Sequence, residues 1–193
     1  MPKIVDHNLY RMELLSKSLP IFVSKGVASV SMRELSKELG VSTGTLYHYF
    51  PTKESLFSSM VKHLVTSDAE AIQKLSEETT NVIDIMNFVS GKEGHFLNLM
   101  LLAVDVKRQL SDSKELLELV EESFSSYENA LNRFFPKETD GKGGKAFLAF
   151  FVGVLFLKSK GDEETSWLDL FEGLKYLGDL FSRNGNNAES TKS

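Results

Sequence analysis

Apolar residues recur every three or four positions along almost the whole chain, the spacing of amphipathic helices. Leu9, Met12, Leu15, Leu19, Phe22 and Val23 make one stripe, which predicts a helix from near Asp6 to Lys25 with Gly26 at its C-terminal end. Pro20 falls inside that stripe. A proline there removes a backbone donor and clashes one turn back, at a cost of about 3 kcal/mol, so a kink or break is expected. Val27, Ala28 and Val30 lead on to a short helix with Met32, Leu35 and Leu39 on one face. Leu46 and Phe50 are spaced to point back at it from a second short helix. Pro51 stops that one, because a proline disfavours helical geometry in the residue before it. A long helix follows, capped by Thr52 and running through Leu56, Phe57, Met60, Leu64 and Ile72 to about Leu75.

Glu77 to Thr80 is a polar joint, after which Val82, Ile85, Met86 and Val89 restart the helical spacing. Ser90 to Gly94 interrupts it, and Phe96, Leu97, Met100, Leu101 and Val104 define an apolar helix reaching to about Leu110. Ser113 is the candidate cap of the next helix, where Leu116, Leu117, Val120, Phe124, Tyr127, Leu131 and Phe134 repeat as far as Pro136. Lys137 to Gly144 reads as a loop. Ala146 to Leu157 is apolar on every face. A helix of that kind is buried all round, in a chain this size partly by a second subunit. Trp167, Leu168, Leu170, Phe171, Leu174, Leu177, Leu180 and Phe181 form the final helix, with Gly173 and Gly178 permitting close approach. Asn184 to Ser193 is expected to be a disordered tail.

Composition narrows the class. In 193 residues, 41% are hydrophobic and four are proline, which supports a folded core of one sizeable domain or a small and a larger one. The absence of cysteine excludes disulfides, thiolate zinc sites and cysteine catalysis. MPKIVDHNLYRM lacks the apolar run of a signal peptide. Ala146 to Leu157 is shorter than the about 20 residues of a membrane helix, so a cytoplasmic protein is expected. The formal net charge of −5 argues at first against nucleic acid, but Met1 to His63 carries +3 and the remainder −8. A basic head on an acidic body aims one end at phosphate.

Enzyme chemistry finds no support. The four histidines, His7, His48, His63 and His95, are scattered, and none shares a metal-ligand or catalytic motif with carboxylates. DGKGGK follows a helix and lacks the spacing of a phosphate-binding loop. No metal or cofactor is implied.

The informative stretch is Ser31 to Phe50, SMRELSKELGVSTGTLYHYF. Ser31 and Glu34 have capping-box spacing at a helix start. Ser36 is small enough to let a second helix approach. Gly40 suits the left-handed angle that ends a helix, Val41 plugs the turn, and Ser42 caps the second helix. The outer face of that helix, Thr43, Gly44, Thr45, Tyr47, His48 and Tyr49, is hydrogen-bonding, mostly neutral and claimed by no core. Such a face suits base edges and phosphates. An αα-hairpin with half-buried tyrosines is the plainer alternative. Lys53 in the first turn of the next helix opposes the helix dipole, a conflict that a bound phosphate would resolve.

GVSTGTLYHYFPTKESLF resembles the signature of the tetracycline-repressor (TetR) family of bacterial regulators. It matches at Gly40, Val41, Ser42, Gly44, Leu46, Tyr47, Tyr49, Phe50, Lys53, Glu54 and Leu56, within about the first third of the chain. The resemblance implies an all-α fold. A three-helix helix-turn-helix head (1–51) would be joined by a connecting helix (52–75) to a helical ligand-binding and dimerisation domain (76–183), followed by the tail (184–193). It implies DNA contacts from Ser31, Arg33, Ser42, Thr43, Gly44, Thr45, Tyr47, His48, Tyr49 and Lys53. Tyr47, Tyr49, Thr45 and Lys53 are expected on phosphates, and Thr43, Gly44 and His48, with Arg33, towards bases. Solvation or an ion pair with Glu34 or Glu38 is the other reading of Arg33. A homodimer is expected through the last two helices, about 145–158 and 165–181. A pocket among Phe88, Phe96, Met100, Phe124, Tyr127, Phe147 and Phe151 would take a small apolar or amphipathic ligand that releases a repressor from a palindromic operator. The alternatives are a DNA-binding dimer controlled by a protein partner or by abundance, and a helical enzyme or scaffold with an incidental hairpin.

Overall fold

The computed structural model describes residues 6–135, 139–159 and 166–176. All regular elements among them are helices: α1 (His7–Lys25), α2 (Met32–Glu38), α3 (Thr43–Tyr49), α4 (Lys53–Glu78), α5 (Val82–Ser90), α6 (Glu93–Gln109), α7 (Lys114–Leu131) and α8 (Lys142–Lys158). A 3-10 turn, Asn132–Phe134, follows α7, and a last helix, α9, covers 167–176. The proposed stop at Pro136, the far end of the final helix with Leu177, Gly178, Leu180 and Phe181, and the tail all lie outside the described residues.

Local chemistry sets the helix ends. Asp6 caps α1 by accepting from the amides of Asn8 and Leu9, and Gly26 closes it at a φ of +80°. α1 runs unbroken through Pro20, against expectation. The reason is position: Pro20 and Ser16, whose carbonyl loses its partner, are both exposed to water, while Leu19, Ile21 and Phe22 are buried and hold the helix down. The expected stripe is also displaced. Leu9 and Met12 lie on the exposed side, and the buried face of α1 is Leu14, Leu15, Ser18, Leu19 and Phe22. The serine fits there because its hydroxyl bonds the Leu14 carbonyl at 2.7 Å.

α4 is three residues longer than its pattern suggested, ending at Glu78, and the joint contracts to Thr79–Asn81. The break after α5 is likewise short, since α6 starts at Glu93 and Gly94 lies inside it. Ser113 occupies the N-cap position of α7 without a side-chain hydrogen bond. The expected loop over 137–144 gives way to helix from Lys142. There the Gly144 amide donates to Asn132 Oδ1 at 2.8 Å, and a Cβ on Gly144 would sit 2.7 Å from the Glu128 carbonyl oxygen. Gly143, against Phe135, and Gly144 therefore serve close packing of the start of α8 on the end of α7 and the residues after it, while Gly141 turns the chain at a φ of +73°.

Two hydrophobic clusters result. One joins α1 to α4 with Leu102 and Val106 of α6 and Leu116, Leu119 and Val120 of α7. The other gathers Ile72, α5, Phe96, the end of α7, α8 and Trp167. The first 60 residues therefore do not hang from a linker. Their core continues into the helices behind them.

Candidate nucleic-acid interface

α2 and α3 are locked to each other by polar contacts as well as by packing. Ser31 accepts from the Glu34 amide at 3.3 Å, and its own amide donates to Glu34 Oε2 at 2.9 Å. The Ser31 hydroxyl, which lies 2.7 Å from Glu34 Oε2, and after it the Ser31 amide hold the Glu34 carboxyl below the ordinary carboxylate range. Gly40 makes the turn at a φ of +69°, and the Val41 amide returns to the Ser36 carbonyl at 2.9 Å. Ser36 is buried, and its hydroxyl lies 3.0 Å from that of Thr43. Ser42 caps α3 by accepting from the Thr45 amide at 2.9 Å. Leu35, Leu46 and Phe50 are fully buried between the two helices and α4.

The outer face of α3 divides into two kinds of residue. Ser42, Gly44, Tyr47 and His48 are exposed, with Tyr47 half open to solvent at 50%. Thr43, Thr45 and Tyr49 are half-buried, and their hydroxyls have partners within the head. Thr43 meets Ser36, Thr45 lies 2.8 Å from the Ser42 hydroxyl, and Tyr49 lies 2.8 Å from Nδ1 of His7. Tyr49 also meets Tyr10 at a tilt and His48 edge-on, and packs against the first cluster. The expectation that no core claims this face thus holds for part of it only. His7 ties the beginning of α1 to the end of α3.

Arg33 is exposed and has no ion pair among the described residues, since Glu38 is engaged by Lys25 at 3.2 Å. Lys53 Nζ bonds the Ala28 carbonyl at 2.9 Å, close to the capped N-terminus of α4. Ser31, Arg33, Ser42, Gly44, Tyr47 and His48 thus carry accessible surface on the head, with Lys53 at its margin.

The second site is a narrow apolar cavity in the seam between the two clusters. Its empty volume is about 650 Å³, counting the part open to solvent. Of the seven residues proposed from sequence, Phe96, Met100, Phe124, Tyr127 and Phe151 line it. Phe88 and Phe147 do not. Phe147 is buried against Phe135 and Phe150, and Phe88 lies beside Phe96 under the Lys92 ammonium. Helical phase explains the error at Phe147. α8 offers Leu148, Phe151, Val152 and Leu155 to the cavity, at i, i+3, i+4 and i+7, and turns Phe147 towards Phe135, beyond the end of α7. The long helix that leads away from the head supplies Phe57, Val61 and Val65, which the sequence reading did not include.

Beside the cavity stands a polar cluster that no motif announces. Asp68 of α4 is 3% exposed and receives the Tyr127 hydroxyl at 2.9 Å, His95 Nε2 at 2.7 Å and Lys92 Nζ at 3.4 Å. Burial, with the Asp68 charge behind it, pushes the Tyr127 phenol far above its ordinary pKa. His95 joins α6 to α4. The only hint in the sequence was a lone aspartate on a helix face otherwise occupied by Val61, Val65 and Ile72.

A tri-helical head with a capped, outward-facing second helix, fused to a helical body, is the class of helix-turn-helix proteins. Residues 14–60 match the model of the bacterial regulatory proteins of the tetR family. The regulator PksA of Bacillus subtilis is 34% identical over 62 residues, covering 32% of this chain and 30% of PksA. BetI of Ectopseudomonas mendocina is 30% identical over 74 residues, 38% of each chain. These curated relatives are therefore matched over about a third of their length. Solved structures extend the likeness of fold to the body. Reduced NemR of E. coli superposes with a TM-score of 0.67 at 16% identity, covering 88% of this chain and 96% of NemR. FadR of Bacillus subtilis, in complex with stearoyl-CoA, gives 0.66 at 17% identity, covering 86% and 96%.

Proposed function

We propose that the protein is a TetR-type DNA-binding transcriptional regulator that acts as a homodimer. The observation that carries this reading is the exposed edge of α3, where Ser42, Gly44, Tyr47 and His48 stand clear of a firmly packed hairpin on the basic part of the chain. In a duplex groove Tyr47, with Lys53 at the α4 N-terminus, meets phosphate, and Gly44 admits the backbone close to the bases. Arg33 and His48 reach base edges. Thr43, Thr45 and Tyr49 join only by sharing hydroxyls that already hold the head together. Two heads in successive major grooves read an approximate palindrome with half-sites about 34–36 Å apart, or a multiple of that.

The second copy sits on α8 and α9. Ala146, Ala149 and Gly153 form an exposed strip of small residues on α8, continued by Phe156 at 53% exposure, and α9 presents Leu168 and Leu174. An apolar strip of that kind is a self-complementary surface for a two-fold partner. Ala149→Glu should shift the sedimenting species from dimer to monomer without unfolding the chain.

The cavity supports ligand-gated release, because α4 forms one of its walls and also leads directly into the head. A ligand that prefers one placement of α4 changes the separation of the heads. FadR's complex with stearoyl-CoA shows that a related fold accommodates an apolar chain.

The test begins with selection of bound fragments from the host genome. Binding should survive competitor DNA and weaken with rising salt. Tyr47→Ala should lower affinity for all sequences, and His48→Ala should alter sequence preference. A chain that selects no fragment, or two variants that bind like the parent, would overturn the reading.

A further inference from the structure

The cavity is selective in a way its apolar character alone does not convey. Among its described lining residues none is charged, and only Ser123 and Tyr127 carry a hydrogen-bonding side chain. Both have already spent their protons. Ser123 donates to the Leu119 carbonyl at 2.7 Å, and Tyr127 donates to Asp68 at 2.9 Å. What these hydroxyls can still offer is lone pairs. The basic side chains beside it, Lys92 and His95, are both turned onto the buried Asp68 carboxylate behind Tyr127.

Resting on the reading of this cavity as a ligand site, we propose that it takes an uncharged lipophile bearing a hydrogen-bond donor, such as a hydroxyl, which Tyr127 accepts. Carboxylates and other anionic heads are excluded from its interior. A buried carboxylate would lose its hydration and find no donor on the walls. An ether or ester oxygen fares poorly for the same reason, because it too needs a donor. A hydroxyl supplies its own. Asp68 is the positioning residue: it fixes which way the Tyr127 proton points and so makes the tyrosine an acceptor towards the cavity. The raised pKa of the phenol agrees with that division, since Tyr127 keeps its proton across the physiological range.

The chain carries its own reporter. Trp167 is its one tryptophan, and its ring packs on Phe151, which lines the cavity, with centroids 5.3 Å apart. Trp167 emission is followed while the full-length protein is titrated with three probes of one alkyl chain length, kept below their aggregation thresholds: the primary alcohol, its methyl ether and the carboxylate. The alcohol should bind about tenfold more tightly than the ether, the value of one hydrogen bond, and the carboxylate more weakly than either. Tyr127→Phe should erase the preference for alcohol over ether while leaving the ether's affinity unchanged. Helicity by circular dichroism checks that this variant folds, and if it does not, the probe series on the parent chain decides alone. Equal affinity for all three probes, or a preference for the carboxylate, overturns the inference and leaves the cavity a ligand site. Emission unmoved by every probe overturns both, because the seam is then ordinary core.

Discussion

The head and the body are built from the same kind of helix, yet they use their polar residues in opposite ways. In the head, Ser31, Glu34, Ser42, Thr45 and Thr52 bond within three residues of themselves in sequence. Each of these bonds fixes a helix end, and a few longer-range pairs, such as His7 with Tyr49 and Arg11 with Ser59, tie the helices together. In the body the decisive polar contacts span long separations, Asp68 to Tyr127, Asp68 to His95 and Trp167 to Glu93 at 2.9 Å, and the Val27 amide to Asp105 at 3.0 Å joins the head to it. They tie one helix to another and leave a cavity beside them. A head of this kind holds a rigid surface. On the function proposed above, it is through these contacts between helices that a ligand in the body would act on the head.

The sharpest way to break that contrast is to truncate one aromatic on each side. Phe22 is fully buried and packs edge-on against Phe57, so Phe22→Ala should cost about 3–5 kcal/mol. Phe124 borders an existing void, and Phe124→Ala should cost about 1–2 kcal/mol in denaturant titrations. Equal costs would mean that the seam is packed as tightly as the head. Next in size is Asp68→Ala, which leaves the Tyr127 hydroxyl without its acceptor. A loss of about 2 kcal/mol is expected, together with earlier hydrogen exchange in α6 and α7 than in α2 and α3.

Gly44→Ala should separate folding from binding. A Cβ there meets nothing closer than the Ser42 hydroxyl at 3.8 Å, so thermal stability should hold or rise slightly. Affinity for the selected operator should fall about tenfold as the new methyl stands between backbone and bases. The smallest effect is expected at the Ser31–Glu34 box. Because the folded-state pKa of Glu34 lies below its unfolded value, its contribution is complete above the unfolded pKa and fades as pH falls through the folded one. Ser31→Ala should flatten the acid side of the stability–pH curve of the head and leave the neutral side lowered by the lost cap.

The head was legible in advance because its determinants are local. Capping residues, a turn glycine and apolar positions three and four apart lie within twenty residues of one another, and short-range geometry leaves them little choice. Gly40 adopts the left-handed angle its place in the turn demanded, and Ser31 pairs with Glu34 as their spacing implied. Even there, sequence did not foresee that Tyr49 would be held by His7, since the two lie 42 positions apart.

In the body, periodicity located the helices but not their rotation about their own axes. That rotation decided that Leu148 and Phe151 face the cavity while Phe147 does not, and that the glycines before Ala146 serve helix contact. It also decided that an aspartate on α4 would be buried and meet partners from α6 and α7. Local sequence determined the elements and the exposed edge of α3, because bonds within a turn are fixed by the residues of that turn. Tertiary packing alone decided the cavity and its polar edge, because those depend on which faces of distant helices meet.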